Sequence, residues 1–222
     1  MPSLSARFER LSQGAWTSQS ALIIRKLIQT RMKKIILDDI LGFSAYEKVR
    51  QKFREDIIKK KQDRRISVGD KVSVVFENRD TVIFQIQEML RAEKLADLDK
   101  IREEIAVYNE LIPDPGELSA TLFLEIEDQS HLREELLKFL GIDEAVSLKI
   151  GRHVVAGRFE EGRSKDDKIS AVQYVRFSLG PEARESLVAG EPAELVIEHP
   201  NYKARAVLTA EAQKSLAQDL VN

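Results

Sequence analysis

The 222-residue chain has no cysteine. That absence excludes disulfides, thiol catalysis, thiolate zinc sites and cysteine-ligated iron–sulfur clusters. It also fits a cytoplasmic protein, where disulfides are rare. Aromatics are sparse at 6%, and Trp16 is the single tryptophan. No apolar stretch reaches the roughly 18 residues that a membrane span needs. The most apolar short run near the start, Ala21-Leu22-Ile23-Ile24, is followed at once by Arg25 and Lys26, so no membrane partner is expected. Residues 1–31 carry Arg7, Glu9 and Arg10 and no compact small-residue cleavage site, which argues against a secretory signal. Glycine-rich dinucleotide fingerprints, phosphate loops, nucleophile elbows and the zinc-binding His-Glu-x-x-His pattern are all missing. The three histidines, His131, His153 and His199, stand at no metal-ligand spacing. The sequence therefore names no cofactor and no metal.

What is present describes a folded chain. The apolar fraction is 43% and the charged fraction 32%, ordinary for a globular protein, and the length suffices for a sizeable core. Net charge is −2 but unevenly spread. Residues 1–65 hold 16 Lys and Arg against 7 Asp and Glu, and the rest hold 19 basic against 30 acidic residues. A basic arm on an acidic body either binds nucleic acid or packs on its own body or on a neighbouring subunit. The arm lacks interleaved aromatics and any base-reading motif, which weighs against nucleic acid.

Periodicity then orders the chain. Leu22, Ile23, Leu27 and Ile28 make a short amphipathic helix within an N-terminal extension. Ser44 with Glu47 reads as a capping box, so a helix is expected from about Ala45, with Tyr46, Val49, Phe53 and Ile57 as its stripe. It ends in a basic cluster at residues 59–65, which suits the negative end of a helix dipole. A strand at 71–76 leads through Asn78-Arg79-Asp80 into a helix to about Glu93, whose oily face holds Val82, Ile83, Ile86, Met89 and Leu90. A second helix spans about 97–109 and is broken by Pro113, Pro115 and Gly116. From Glu117 the period becomes two, a strand with one buried face formed by Leu118, Ala120, Leu122, Leu124 and Ile126. A helix at about 131–140 stops at Gly141. Strands follow at 146–150, 153–159, 169–177, 193–199 and 202–208, with a polar hairpin loop at 160–167. Pro181 opens a short helix, and Thr209 caps a last one to Leu220. Hairpin-linked strands imply an α+β fold, a mostly antiparallel sheet with helices packed on one side and an N-terminal helical arm.

Several blocks carry a family resemblance. They are Lys33-Lys34-Ile35, Asp39-Ile40-Leu41, Tyr46-Glu47, residues 76–82 with 85–93, and Leu111-Ile112-Pro113 with 115–123. Together these resemble the bacterial family called Domain of Unknown Function 3501, from Met32 to near the C-terminus. Members usually start close to Met32, so the resemblance implies that residues 1–31 are an extension outside the fold and 32–222 a single α+β domain. Family members are often encoded beside a rubrerythrin and an iron–sulfur oxidoreductase. The resemblance thus implies a link to peroxide or redox metabolism, with those two proteins as partners, and supplies no catalytic residues.

The richest polar block is Glu77, Asn78, Arg79, Asp80 and Thr81, followed by Gln85, Glu88 and Arg91. Thr81, Gln85 and Glu88 fall on one helix face, opposite the oily stripe. A helix N-terminus behind a strand can hold an anion with Arg79, or Glu88 can serve as a base or ligand. The competing reading is that Asn78 or Asp80 caps the helix and the remaining groups form a solvated face or a structural network. Glu117, set by the rigid 113–116 turn, neighbours Glu77 if their strands pair, and two such carboxylates suit acid–base work or a cation. His199 lies on the inward phase of its strand, near Tyr202, where a structural hydrogen-bonded role is the ordinary one. The preferred function is a non-catalytic accessory or binding protein. The alternatives are a small enzyme using the carboxylate and arginine groups of 77–91, and a nucleic-acid binder using residues 59–65.

Overall fold

Alternating apolar residues need a partner surface, and this chain supplies it by stacking strands against strands. The computed structural model describes residues 33–127, 129–160, 164–165 and 168–220. The expected helix at Leu22–Ile28, Trp16 and most of the polar loop after Glu160 lie outside the described residues. Among the described residues the helices are α1 (Phe43–Gln62), α2 (Arg79–Ala92), α3 (Leu98–Asn109), α4 (Leu132–Leu137), α5 (Pro181–Val188) and α6 (Ala210–Leu220). The strands are β1 (Arg65–Ser67), β2 (Val72–Glu77), β3 (Glu117–Leu124), β4 (Val146–Ile150), β5 (His153–Ala156), β6 (Arg158–Phe159), β7 (Ser164–Lys165), β8 (Lys168–Ile169), β9 (Val172–Ser178), β10 (Ala193–His199) and β11 (Tyr202–Val207).

The protein is α+β, and every strand pairing is antiparallel. The strands divide between two sheets where the sequence suggested one. The larger runs β1-β2-β3-β9-β6, the smaller β11-β10-β4-β5, and β7-β8 form a separate hairpin. The expected strand at 153–159 is two strands, one per sheet, joined at Gly157. There a β-carbon would meet Val175 at 2.8 Å and the Val146 carbonyl at 3.2 Å, so only glycine lets the chain cross this closely. The expected strand at 169–177 likewise divides, with Ile169 in the small hairpin and β9 starting at Val172.

The main core lies between the sheets. It joins Val72, Val74, Phe76, Leu118, Leu122 and Phe177 of the larger sheet to Val146, Leu148, Ile150, Leu195 and Ile197 of the smaller, with Leu187 of α5 and Leu216 and Leu220 of α6. Each such side chain contributes about 1.5–3 kcal/mol by burial. A second cluster sits over the opposite face of the larger sheet, where Val82, Ile86 and Leu90 of α2 and Ile101 and Ile105 of α3 pack with Ile35, Leu111, Ile112 and Tyr174. Helices therefore cover both faces of the larger sheet. That corrects the single buried face expected for the strand from Glu117: Ser119 and Thr121 on its other face are also buried.

Helix starts show local and nonlocal control. Asn78 caps α2, its Oδ1 accepting from the amides of Asp80 (3.1 Å) and Thr81 (3.2 Å), and Thr209 Oγ1 accepts from the Ala212 amide of α6 (3.1 Å). The capping box expected at Ser44 and Glu47 is not formed. Helix α1 begins at Phe43 after Gly42, and Glu47 pairs with Arg91 instead. The reason is tertiary. The Gln87 side chain of α2 accepts from the Leu41 amide (2.7 Å) and donates to the Leu41 carbonyl (3.1 Å), fixing the chain just ahead of Phe43.

Candidate functional site

Strand β2 ends at Glu77, and the chain turns directly into α2. Glu77 is 2% exposed. Its carboxylate accepts from Thr81 Oγ1 (2.5 Å), Gln85 Nε2 (2.9 Å) and Thr121 Oγ1 (2.9 Å). Thr81 and Gln85 are four apart on one helix face, so both reach back over the strand end. Three donors offset the cost of burying the carboxyl.

Helix α1 lies across α2 and meets its polar face. Glu88 receives a two-pronged bond from Arg50, Nε at 2.8 Å and Nη2 at 2.7 Å, and a third from the Tyr46 hydroxyl at 2.7 Å. The Arg50 bonds, helped by Tyr46 and opposed by burial, hold the Glu88 carboxyl down at about 2. Burial and the Glu88 charge push the Tyr46 hydroxyl upward. One turn on, Arg91 pairs with Glu47 (2.5 Å). At the other end Arg79 pairs with Asp39 (2.6 Å) and donates from Nε to the Lys33 carbonyl (3.0 Å). Glu77, Arg79 and Glu88 thus face three separate sets of partners and do not converge in one pocket.

Glu117 sits on the same sheet face as Glu77, but the register sets Glu77 opposite Ser119 and Glu117 opposite Ser178. Each carboxylate has its own donors. Glu117 takes Arg176 Nη1 (2.8 Å), Ser178 Oγ (2.6 Å) and Arg158 Nη2 (3.1 Å). Burial would raise its pKa, and the Ser178 bond and the two arginines outweigh it and lower it. His199 is 3% exposed. Its Nε2 donates to the Leu140 carbonyl (2.7 Å) and its Nδ1 accepts the Asn201 amide (3.2 Å), while Phe139 stacks on the ring. Both nitrogens are committed to the loop at 138–141 and the β10–β11 turn.

Of the basic cluster at 59–65, Arg64 is drawn into the body, while Lys59, Lys60 and Arg65 stay exposed. Arg64 is 2% exposed and donates to the carbonyls of Phe76 (2.8 Å) and Glu77 (3.2 Å), to Ser215 Oγ (3.1 Å) and to Asp219 (2.5 Å). Lys60 pairs with Asp80 and Arg65 with Glu125. Between the end of α1, the start of α2 and α6 lies a cleft of about 380 Å³ with charges of both signs, among them Lys60, Arg79, Asp80, Glu211, Lys214 and Asp219. No group of three His, Cys, Asp or Glu side chains among the described residues is placed to hold a metal ion. No described helix is long and apolar enough to cross a membrane.

Sequence reasoning missed two features. One is Arg64, whose place in a basic run disguised a buried clamp. The other is an apolar groove of about 260 Å³ where Leu41 and Phe43 meet Leu90, Leu95 and Leu98. Leu41 (44%), Phe43 (57%) and Leu98 (55%) stand largely exposed there. The one available signal was the large apolar residues Ile40, Leu41 and Phe43 set around Gly42 at the start of a helix.

Two antiparallel sheets enclosing one core, with two helices laid over a polar strand end, define an α+β protein whose Glu77, Glu88 and Glu117 are each met by donors of the chain itself. The chain belongs to the family described as Protein of unknown function (DUF3501), whose model matches residues 34–220. It is also similar to a crystal structure titled a novel protein of unknown function from Burkholderia pseudomallei K96243. The identity is 34% and the TM-score 0.80, over 85% of this chain and 100% of that one. No curated protein matches.

Proposed function

We propose that the protein is a non-catalytic accessory protein that binds a partner in peroxide or redox metabolism. The observation that carries this reading is the internal engagement of the candidate acids and bases. Glu77 has three donors, Glu88 has Arg50 and Tyr46, Glu117 has Arg158, Arg176 and Ser178, and both nitrogens of His199 are bonded. A general base must be free to turn a lone pair toward substrate, and three donors on each carboxylate fix these groups on the fold instead. An enzyme built on Glu77, Arg79 and Glu88 would require them to share a pocket, and they do not.

Binding needs surface rather than reactive groups. The exposed Leu41, Phe43 and Leu98 supply the apolar centre of an interface, and the neighbouring Glu47–Arg91 pair supplies polar rim. The redox assignment rests on the family resemblance, whose members are often encoded beside a rubrerythrin and an iron–sulfur oxidoreductase. Native mass spectrometry of the full chain mixed with each of those two proteins from its own organism tests the reading. A defined complex with one of them is expected. Free components with both, at low salt and micromolar concentration, would overturn it.

A further inference from the structure

An open sheet ends in strands whose outer backbone groups have no partner, and β11 is the longest such edge of the two main sheets. It has 6 residues, against 3 in β1, 4 in β5 and 2 in β6. It pairs with β10 alone, and the Leu208 amide, donating to the Ala193 carbonyl, sets the phase of the ladder. Residues 202, 204 and 206 therefore turn their amides and carbonyls to β10, and Lys203, Arg205 and Val207 turn theirs outward. Among the described residues nothing bonds those outward groups.

The side chains at the same three positions are also free to meet a newcomer. Tyr202, Ala204 and Ala206 pack against the core between the sheets, so alternation puts Lys203, Arg205 and Val207 on the outer face of the smaller sheet. All three are exposed, Val207 at 70%. Glu198 of β10 stands opposite Lys203 but bonds Arg205 (3.0 Å), and Lys203 has no ion pair among the described residues. One acid thus answers two cations. The edge presents a cation, a cation and an apolar group at intervals of about 7 Å, each beside an open backbone site.

Charge decides what can pair here. A second copy laid antiparallel on this edge sets Arg205 on its own counterpart or Lys203 on Arg205, and like charges directly opposite are destabilising. A further shift leaves two of the three positions paired. Cations on an edge strand keep identical chains apart in this way. A strand carrying acids in the same phase meets attraction at both positions and gains the backbone bonds as well.

We infer that the β11 edge takes up an extended acidic peptide of a partner as an added antiparallel strand, with an apolar residue opposite Val207 and acidic residues opposite Arg205 and Lys203. Fluorescence anisotropy on the full chain tests it with a labelled, end-blocked pentapeptide, valine-threonine-glutamate-threonine-glutamate. This peptide binds saturably, and its counterpart with lysine for glutamate binds at least about tenfold more weakly. N-methylation of both glutamates, whose amides meet the open carbonyls of β11, abolishes binding. N-methylation of both threonines, whose amides point away, leaves it within about twofold. The double variant Lys203→Glu with Arg205→Glu prefers the lysine peptide, a reversal that an unfolded chain cannot give. The inference is overturned by no saturable binding of the acidic peptide, by equal binding of the two N-methylated forms, by a preference that survives the double variant, or by a dimer of the chain that closes the edge. Phe43→Glu leaves peptide binding unchanged, because the groove at Leu41 and Phe43 belongs to the helices over the larger sheet, so this test and that of the partner complex fail independently.

Discussion

Replacing Arg64 with methionine tests how the end of β2 is held to the C-terminal helix. The side chain is 3% exposed and its guanidinium makes bonds to Phe76, Glu77, Ser215 and Asp219. Methionine keeps most of the stem's packing and removes the charge. Asp219, 11% exposed, is then left as a buried carboxylate without its cation, and two strand-end carbonyls lose their donor. Removing one partner of a buried ion pair costs about 3–5 kcal/mol. The charged cleft beside α6 admits water to Asp219, which places the expected loss near the lower end, about 3 kcal/mol. Urea denaturation followed by circular dichroism reads this as a lower midpoint at unchanged slope. Asp219→Asn costs less, since the amide oxygen still accepts, and the double mutant falls short of the sum of the singles. An Arg64→Met variant within about 1 kcal/mol of the parent would refute the clamp.

Two further perturbations address the polar face of α2. Glu88 titrates near 2 in the folded protein against an ordinary value of 4.5, so its contribution to stability is complete above about pH 4.5 and fades as the pH falls toward 2. Glu88→Gln is therefore expected to flatten the acid limb of a stability–pH profile between those values, and an unchanged limb would contradict the Arg50–Tyr46 arrangement. Asn78→Ala removes the acceptor for two amides at the start of α2 and is expected to cost about 1 kcal/mol in the same urea assay, with Asn78→Asp close to neutral. Equal stabilities of the alanine variant and the parent would show that the cap contributes nothing.

Much of the fold was legible where local chemistry decides it. The Asn78 cap and the oily face of Val82, Ile86 and Leu90 place α2 to within a residue, and Pro181 and Thr209 mark the starts of α5 and α6. Alternation told which way the residues of β3 and β10 point, including the inward His199. It could not tell which strands pair, so two sheets read as one, and the strand expected at 153–159 hid the crossing between sheets at Gly157. The start of α1 misled because Gln87, 46 positions away, fixes Leu41. Burial of Ser119 and Thr121 was hidden for the same kind of reason: the cover over them comes from other parts of the chain.

The candidate site shows the same division. Glu77, Thr81, Gln85, Glu88 and Arg91 were visible as one polar block, because helical spacing alone gathers most of them. Their partners were not visible, since Tyr46, Arg50, Glu47 and Thr121 lie from 38 to 44 positions away. A polar face that looks available in sequence is therefore answered mostly from within, and the exposed apolar groove, which carries no motif, is the surface to which the proposed partner is assigned.

Titration calorimetry of the full chain against purified rubrerythrin, and separately against the iron–sulfur oxidoreductase, measures that surface directly. Saturable binding to one of them, weakened at least about tenfold by Phe43→Glu in a variant with unchanged melting, is the predicted result. Absence of heat and of complex with both proteins, or a complex that Phe43→Glu leaves untouched, would contradict the assignment of partner binding to the groove formed by Leu41, Phe43 and Leu98.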